Sequence, residues 1–465
     1  MLEIWRGWSR QQRLALVGGI VVVIAGGAVA AYLVLKRDSD KACPPPCELE
    51  AEPKAKPKPP KVKTVDWPVY GYDDARTRYF PTKRVGPPYD SADWSYVAGT
   101  LLEFSPVIHG DRLFIVDKNA RVIALDSKAG KQKWATDVGG LSAASPAYAD
   151  GRLFVVTLEP GDVQALDPRT GKVLWERDLG ARSETSPAVF KDKVIVGNES
   201  GTVFALDVKT GNTRWSIDTA DAVKGGVAIN SGTAYFGNYA GEIYAVDADD
   251  GSVRWQSGTQ GSSFGRTGSI YSTPAVAYGR VFVGSIDSRV YSLDADNGAV
   301  AWSQSTGDWV YSAPAVAEVG DAPPTVYIGS KDKYLYALDA TTGDVRWKQF
   351  TGGILLGAPS VIGDIVYAGV IGPMNGTIGY DAETGEEVFT HELGEYNPAV
   401  TDGQRLYLTG EVGLRAFRPL SKQDLQRIED RKKRQAEEKR KKEARQEARK
   451  AEGAAPGKGG KPAKG

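Results

Sequence analysis

The sequence is poor in the side chains that most enzyme active sites require. Among its 465 residues there are only two histidines, His109 and His391, and two cysteines, Cys43 and Cys47. Each histidine lies near a predicted strand edge or turn without a suitably spaced partner, so neither a zinc-protease motif nor a nucleophile triad is present. The cysteines allow a local bridge, an intermolecular bridge or two free thiols, and no further zinc ligands lie near them. We therefore predict no catalytic residue and no metal site.

By contrast, one pattern of residues recurs seven times. Each copy has a small residue, an Asp two positions later, a Gly four positions after the Asp and an aromatic residue four positions after the Gly. The aromatic residues of the seven copies, 40 to 47 residues apart, are Trp134, Trp175, Trp215, Trp255, Trp302, Trp347 and Phe389. A fixed period of this length indicates stacked supersecondary units.

The unit from 186 to 218 indicates what each repeat forms. It contains four short runs of strand-forming residues separated by turn residues, which leaves no room for a helix. We therefore predict a four-stranded antiparallel propeller blade. Within the pattern, we expect Asp207 to accept backbone N–H groups and Gly211 to adopt a positive φ. We expect Trp215, like the aromatic residue of every other copy, to dock against the next blade.

The inner strands predict the size of the ring. Eight segments can start a blade, seven of them at a proline and one at 225–227, whereas only seven copies of the pattern are present. The last unit ends after three strands, and residues 91–98 resemble an isolated outer strand. We therefore predict an all-β, eight-bladed β-propeller of four-stranded antiparallel blades over 65–419, with 91–98 completing the last blade. This closure removes exposed strand edges, and a seven-bladed ring is the alternative.

The two ends of the chain differ from the repeats in composition. After a short flank, 1–13, the run 14–35 is apolar, and a helix of that length spans about 33 Å, enough for a bilayer. We predict a single-pass transmembrane anchor; the alternative is a secretory signal cleaved after Ala30, and both place the propeller outside the cytoplasm. The remaining predicted regions are a Pro- and Lys-rich linker at 36–64, a charged helix at 420–452 and a disordered Gly-, Lys- and Pro-rich tail at 453–465.

Charge is distributed unevenly, although the whole chain is formally neutral. The propeller region has a net charge of −13, whereas residues 420–465 carry 16 basic and 8 acidic residues. The basic tail is suited to contact anionic lipid or a cell-envelope polymer, and a solvated tail without a partner is the alternative. No base-reading or base-stacking motif accompanies it, so we do not expect nucleic acid as a partner.

The repeat resembles a known family. Residues 165–175, Ala-Leu-Asp-Pro-Arg-Thr-Gly-Lys-Val-Leu-Trp, look like the tryptophan-docking motif of pyrroloquinoline-quinone-like (PQQ-like) propellers, as do the stretches ending at Trp215 and Trp347. The resemblance covers about 65–418 and implies a propeller fold. The family contains quinoprotein dehydrogenases, sensor ectodomains and cofactor-free, BamB-like members of outer-membrane assembly. Residues 67–81 are also similar to the segment that leads into the ring of quinoprotein dehydrogenases.

The sequence departs from the dehydrogenases at their cofactor site. Those enzymes hold the quinone beneath a ring formed by adjacent cysteines, and no cysteine lies within 65–419. They also bind calcium through Glu, Asn and Asp beside a catalytic Asp, and these positions cannot be matched here. We therefore expect no cofactor and assign the chain to the non-enzymatic, BamB-like branch. A dehydrogenase that uses pyrroloquinoline quinone and calcium is the alternative.

The candidate binding residues lie in loops that lead into the inner strands. In a propeller these loops surround one mouth of the central channel, and Arg, Tyr and Trp are frequent interface anchors. The candidates are Glu103, Phe104, Glu184, Lys224, Arg266, Tyr271, Trp309, Tyr311, Tyr396 and Asn397. We expect a membrane-anchored, extracytoplasmic scaffold that binds an unidentified envelope protein and acts in envelope assembly. A ligand-sensing ectodomain is a further alternative.

Overall fold

The computed structural model describes residues 65–421, apart from 88, 90, 91, 260–267, 374 and 375, together with scattered positions between 423 and 441. The predicted membrane span, its flank and the linker lie outside the described residues, as does the tail. Within the described part of the chain, no helix is long and apolar enough to cross a membrane. The scattered positions have helical backbone but define no continuous element, so the charged helix over 420–452 stays a prediction.

The described residues form eight sheets, which are the blades of a propeller. Each sheet contains four strands that run antiparallel to their neighbours, and one sheet has a short parallel fifth strand. Blades 1 to 7 each take four consecutive strands, starting with Val107–His109. Blade 8 combines three strands from the C-terminal side, Val400–Thr401, Leu406–Gly410 and Gly413–Phe417, with the earlier strand Trp94–Val97. The predicted all-β, eight-bladed fold is confirmed.

The strands follow one another at short intervals along the chain. Those before blade 1 are β1 (Tyr79–Phe80) and β2 (Trp94–Val97). Blades 1 and 2 contain β3 (Val107–His109), β4 (Arg112–Val116), β5 (Arg121–Asp126), β6 (Gln132–Asp137), β7 (Ala147–Ala149), β8 (Arg152–Val156), β9 (Asp162–Leu166) and β10 (Val173–Asp178). Blades 3 and 4 contain β11 (Ala188–Phe190), β12 (Lys193–Gly197), β13 (Thr202–Asp207), β14 (Thr213–Asp218), β15 (Ala228–Asn230), β16 (Thr233–Gly237), β17 (Glu242–Asp247) and β18 (Val253–Gly258).

The second half of the ring has the same order. Blades 5 and 6 contain β19 (Ala275–Ala277), β20 (Arg280–Ser285), β21 (Arg289–Asp294), β22 (Val300–Ser305), β23 (Ala315–Ala317), β24 (Thr325–Gly329), β25 (Tyr334–Asp339) and β26 (Val345–Phe350). Blades 7 and 8 contain β27 (Ser360–Ile362), β28 (Ile365–Val370), β29 (Gly376–Asp381), β30 (Glu387–His391), β31 (Val400–Thr401), β32 (Leu406–Gly410) and β33 (Gly413–Phe417).

The repeated pattern forms the turn between the third and fourth strands of a blade. In blade 3, Asp207 Oδ1 accepts the backbone N–H groups of Lys209 and Thr210, both at 2.9 Å. The Gly211 N–H donates to the Asp207 carbonyl at 2.8 Å, and the φ of Gly211 is +73°, which a residue with a Cβ adopts only with strain. The structure thus contains the predicted Asx-type turn.

Each tryptophan of the pattern lies on the turn of the following blade. The Trp215 Nε1–H donates to the Ala248 carbonyl at 3.3 Å, and the indole covers Gly251. A Cβ on Gly251 would lie only 2.8 Å from that indole, so the glycine is required by the close approach as well as by its φ. The same indole-to-carbonyl bond joins the pairs Trp134–Pro168, Trp175–Val208, Trp255–Ala295, Trp302–Ala340 and Trp347–Ala382.

The ring closes through a strand from the N-terminal side. β2 pairs antiparallel with β33, and Trp94 lies opposite Ala416. The predicted role of 91–98 is therefore confirmed, and the seven-bladed alternative is wrong. The Trp94 Nε1–H donates to the Ser127 carbonyl at 3.1 Å, and its ring covers Gly130 of blade 1. Trp94 is a seventh indole of this kind, and the repeated pattern does not include it because its strand is far from the rest of blade 8 in the sequence.

Hydrophobic side chains fill the space between adjacent blades. Blades 3 and 4 share one cluster, to which Ile195 and Phe236 belong. Between blades 7 and 8 the weakest copy of the pattern supplies Phe389, which has no N–H and packs edge-on against Tyr89 and Tyr367. The core is thus a series of layers between sheets, and each layer depends on both neighbouring blades.

Replacement of Trp215 by Ala should destabilise the ring. The substitution removes an indole that is only 8% exposed, and such truncations cost about 3–5 kcal/mol. We expect a lower melting temperature and a lower denaturant midpoint, both followed by circular dichroism. Val253→Ala, which shortens an exposed side chain on the same outer edge, is the matched control and should change stability little. An unchanged melting temperature for Trp215→Ala would show that the indoles do not clamp the blades.

Blade 2 carries three carboxylates close together at its outer edge. Asp162 on β9 lies opposite Asp178 on β10, and Glu176 precedes Asp178 on the same strand. Burial, reinforced by these two carboxylates, raises the pKa of Asp162 to about 6. An unfolded aspartate has a pKa of about 4, so ionised Asp162 destabilises the fold above about pH 6. This destabilisation decreases as the pH falls from 6 and is absent below about pH 4.

Asp162→Asn should therefore stabilise the protein at neutral pH and have little effect near pH 4. The gain expected from the raised pKa is of the order of 1–3 kcal/mol at pH 7 to 8. Urea denaturation at a series of pH values measures it. Asp296→Asn, on an exposed turn, is the control and should change stability little at any pH. An equal gain at both ends of the pH series would contradict the assignment of the effect to Asp162 ionisation.

Candidate functional site at the channel mouth

The segment 65–80 passes along the inner strands of the ring. Its carbonyl groups accept N–H groups from the first strands of blades 1, 2, 4, 5, 6 and 7 in turn. These carbonyl-to-amide pairs, each 2.7 or 2.8 Å long, are Trp67–Ile108, Pro68–Tyr148, Asp74–Ile229, Ala75–Val276, Thr77–Val316 and Arg78–Val361. The segment ends as β1, which pairs parallel with β27 as the fifth strand of blade 7. One end of the central channel is therefore filled by the chain itself.

Arg76 fixes this segment in the channel. It is fully buried, and its φ is +59°. The guanidinium donates to the carbonyl groups of Tyr70 at 2.5 Å, Pro187 at 2.9 Å and Val227 at 2.9 Å. The latter two residues lie at the start of blades 3 and 4, so one side chain links the segment to two blades. Burial lowers the pKa of Arg76 to about 10, which leaves the group charged at neutral pH.

Arg78 links the same segment to blade 6 in a similar way. It is also fully buried, and its guanidinium donates to the Pro314 carbonyl of blade 6 at 2.9 Å and to the Arg76 carbonyl at 2.7 Å. The guanidinium lies 5.0 Å from the centre of the Tyr70 ring, within the range of a cation–π contact. Tyr70 is thereby held between the buried arginine and the open part of the channel.

Next to Tyr70 the channel opens into a cavity of about 240 Å³. The loops that lead into blades 1 and 3 to 8 surround it, and Tyr70 closes its inner end. Its walls contain the predicted candidates Glu103, Phe104, Glu184, Lys224, Tyr271, Tyr311 and Tyr396, together with Ser186, Gly225, Gly226, Thr273, Ala313, Leu356 and Gly357. The structure therefore brings most of the candidates together at one site, and their role in binding stays a prediction.

One wall of the cavity is charged. Lys224 Nζ donates to Glu184 Oε1 and to Glu199 Oε1, both at 2.8 Å, and the Tyr271 hydroxyl donates to Glu184 Oε2 at 2.8 Å. Burial alone would lower the pKa of Lys224, but the hydrogen bonds with the two glutamates raise it above its ordinary value. Both carboxylate oxygens of Glu184 are thus engaged within the protein.

The adjoining wall is aromatic. The ring centres of Tyr271 and Tyr311 are 5.6 Å apart at an interplanar angle of 71°. Trp309 extends this row edge-to-face from Tyr311, and Tyr239 extends it from Tyr271 at a tilt of 55°. Burial, together with the Glu184 carboxylate, raises the pKa of Tyr271 well above its usual value. The phenols therefore stay neutral at physiological pH and present apolar faces with polar tips.

Glu103 differs from the other acidic residues of the cavity. Its half-buried side chain forms no hydrogen bond or ion pair with any residue that the structure describes. Burial raises the pKa of Glu103, the positive charge of Lys118 opposes this shift, and the negative charge of Glu184 adds to it. Burial also raises the pKa of Tyr396, and the Glu103 charge contributes. Glu103 is thus a carboxylate in a partly apolar wall, and no described residue is its direct counter-ion.

The comparison with protein families identifies the repeat. A family model described as outer membrane protein assembly factor BamB matches residues 90–230 and 310–419, which together make up more than half of the chain. The chain belongs to this PQQ-like repeat family. The resemblance inferred from the docking motif is thus confirmed, whereas the family assignment by itself does not settle whether this member is an enzyme.

Solved structures show the same fold on proteins of different function. BamB from Moraxella catarrhalis is 20% identical with a TM-score of 0.60, and the alignment covers 70% of this chain and 99% of that one. A quinohemoprotein alcohol dehydrogenase from Pseudomonas putida is 15% identical with a TM-score of 0.62, and the alignment covers 76% of this chain and 80% of that one. A computationally designed protein is 14% identical with a TM-score of 0.57, and the alignment covers 72% of this chain and 99% of that one. No curated protein matches the chain.

Two of the candidates predicted for this PQQ-like propeller, Trp309 and Asn397, are not in the cavity wall. A third candidate, Arg266, lies outside the described residues. Trp309 packs against Tyr311, and Lys331 Nζ lies 4.4 Å from the centre of its ring, so it belongs to the surrounding rim. Asn397 is buried, and its Nδ2 donates to the Leu102 carbonyl at 3.0 Å, which indicates a structural role.

Sequence reasoning missed eight of the described lining residues, and Leu356 and Tyr70 illustrate why. Leu356 stands three positions before the first proline of its blade, as do Glu103, Glu184, Tyr271 and Tyr311 before theirs. A search of that shared position in every blade would have identified Leu356. Tyr70 comes from the segment outside the repeats and could not be placed in the channel by periodicity.

The cavity residues are a poor match to a calcium-supported quinone site. Calcium requires about six to eight oxygen ligands. Both oxygens of Glu184 are already engaged, and Glu103 is the other carboxylate of the wall. No group of three or more His, Cys, Asp and Glu side chains is placed to hold a metal ion in the described part of the chain. The expectation that no cofactor binds stays a prediction.

Removal of the Arg76 side chain should destabilise the protein. Arg76→Ala leaves three buried carbonyl groups without their donor, each at a cost of about 1–3 kcal/mol, and opens a void in the channel. We expect a loss of at least about 3 kcal/mol in chemical denaturation, and earlier proteolysis of the N-terminal segment. Arg169→Ala, in an exposed turn, is the control. Equal stabilities of the two variants would show that the segment is not fastened by Arg76.

Proposed function

We propose that this chain is a membrane-anchored, extracytoplasmic β-propeller that acts as a protein-interaction scaffold in assembly of the cell envelope. The family match carries the proposal, because the family is described as an outer-membrane assembly factor. The apolar run at 14–35 supports export, since either an anchor or a cleaved signal would take the propeller across the membrane.

The channel mouth is the surface that we assign to the partner. The opposite end of the channel is filled by 65–80, so the ring offers one recessed face. The rim of that face carries Trp309 with Lys331 over its ring, next to Tyr311, and such residues are frequent anchors of interfaces. The ring has a net charge of −13, which favours a partner with a basic contact surface.

Two alternative functions are each favoured by one observation. The likeness in fold to a quinohemoprotein alcohol dehydrogenase favours a quinone-dependent enzyme, but the engaged carboxylates of the cavity do not fit a calcium-supported quinone. The cavity itself favours a ligand-sensing ectodomain, since aromatic residues line it and its Glu103 carboxylate has no partner among the described residues.

Site-specific photocrosslinking in intact cells tests the scaffold role. A photoreactive amino acid at position 331, on the rim, should give a discrete adduct with an envelope protein. The same amino acid at position 209, on an exposed turn of the outer edge, is the matched control and should give none. We expect a crosslink from position 331 only, because the rim is the surface that we assign to the partner.

Two outcomes would contradict the proposal. One is the same adduct pattern from positions 331 and 209. The other is enzymatic turnover: if purified protein given pyrroloquinoline quinone and calcium retains a chromophore after desalting and reduces a dye with an alcohol substrate, the chain is a dehydrogenase.

A further inference from the structure

We propose that the cavity at the channel mouth binds a small alkylammonium cation, with the Glu103 carboxylate as its counter-ion and Tyr271, Tyr311 and Tyr396 as its aromatic walls. This inference concerns the cavity and does not depend on the scaffold role. It holds whether the cation is a free small molecule or the end of a methylated lysine side chain on a protein.

The size of the cavity limits the ligand. Its volume of about 240 Å³ is below the range of about 300–1,000 Å³ that is typical of pockets for drug-sized ligands. The channel is filled beyond Tyr70, so a longer ligand cannot pass through the ring. The cavity therefore suits a compact head group.

The charge of the cavity selects a cation. Lys224 contacts two carboxylates, those of Glu184 and Glu199, and Arg182 Nε lies 4.0 Å from Glu199 Oε2, so this cluster is formally neutral. Glu103 adds a negative charge, and no ion pair joins it to Lys118, Lys224 or any other described residue. Next to Glu103 an anion would be repelled, whereas a cation would gain a direct counter-ion in its carboxylate.

The protein already holds one cation in these surroundings. Lys224 Nζ lies 5.4 Å from the centre of the Tyr239 ring while it contacts two carboxylates. Aromatic faces attract cations within about 6 Å of the ring centre, and more strongly when water is excluded. The other half of the cavity offers a second cation the same kinds of group, in Glu103, Tyr311 and Tyr396.

The supply of acceptors favours a head group with few N–H donors. A guanidinium has five N–H donors, and among the described residues of the wall Glu103 is the only carboxylate with both oxygens unengaged. Buried donors without acceptors are costly, so a guanidinium would bind at a disadvantage. A quaternary or methylated ammonium needs few or no acceptors and presents methyl groups to the aromatic rings. We therefore assign an alkylammonium ligand.

Calorimetric titration of the full chain with choline tests the charge requirement. Dimethylbutanol, in which carbon replaces the nitrogen, has the same shape without the charge and is the matched control ligand. We expect choline to bind at least about tenfold more tightly than dimethylbutanol, since only choline gains the cation–π and carboxylate interactions. A second titration with the amide of acetylated trimethyllysine distinguishes the two sources: tighter binding than choline would point to a protein side chain, and weaker binding to a free ligand.

Variants identify the residues involved. Glu103→Gln should weaken choline binding about tenfold or more, and Tyr396→Leu should weaken it as well. Tyr396→Phe keeps the aromatic face and should retain most of the affinity. Glu318→Gln removes an exposed carboxylate outside the cavity and should bind like the original chain. Thermal melts of each variant establish that the fold is intact.

The inference is overturned if neither ammonium ligand binds, or if dimethylbutanol binds as tightly as choline. It is equally overturned if Glu103→Gln or Tyr396→Leu binds choline as tightly as the original chain. None of these results would alter the crosslinking pattern from the rim, so the cation site and the scaffold role can fail separately.

Discussion

The structure depends on one repeated contact, in which an indole of one blade lies against a glycine in the turn of the next. Trp215 covers Gly251 so closely that no Cβ would fit, and its N–H satisfies a carbonyl in the same turn. The Asp that precedes each glycine shapes the turn, so the spacing of the pattern follows from the geometry of the contact. Seven of the eight blades give an indole to the next blade, and blade 7 gives Phe389 instead, so a ring without β2 would leave the turn of blade 1 uncovered. Trp94 on β2 removes that defect.

Closure of the ring is also what makes the channel site possible. The first strands of the blades converge on one axis, and their amides find acceptors in the carbonyl groups of 65–80. The buried guanidinium of Arg76 takes its acceptors from the segment itself and from blades 3 and 4, so neither part alone could satisfy it. The position of Tyr70, and with it the inner end of the cavity, is therefore a property of the assembled ring.

This difference between local and assembled features explains what could be predicted from the sequence. The Asx turn at Asp207 and the strand alternation that follows it are local, so periodicity predicted the blades and their number. Trp94 was missed as a docking residue because its partners on β33 are more than three hundred residues away. The residues of the cavity were found in part, since Glu103 and Tyr311 occupy the same position in their blades. Tyr70 and Arg76 lie outside any repeat, and only the three-dimensional structure brings them to the channel.

The same distinction bears on where function can reside in this fold. BamB, a quinohemoprotein alcohol dehydrogenase and a designed protein share the fold at identities of 20% or less, so the fold by itself does not indicate the function. In this chain, chemistry is concentrated at one position per blade, just before the first strand. There, Lys224 lies between Glu184 and Glu199, and Arg182 is the second cation beside Glu199. Glu103 stands beside aromatic residues and forms no ion pair with any described residue. A partly buried carboxylate costs free energy unless a hydrogen bond or an ion pair compensates it, and the described residues provide no such contact to Glu103. That unbalanced charge, rather than the scaffold, is the feature from which the ligand of this propeller can be inferred.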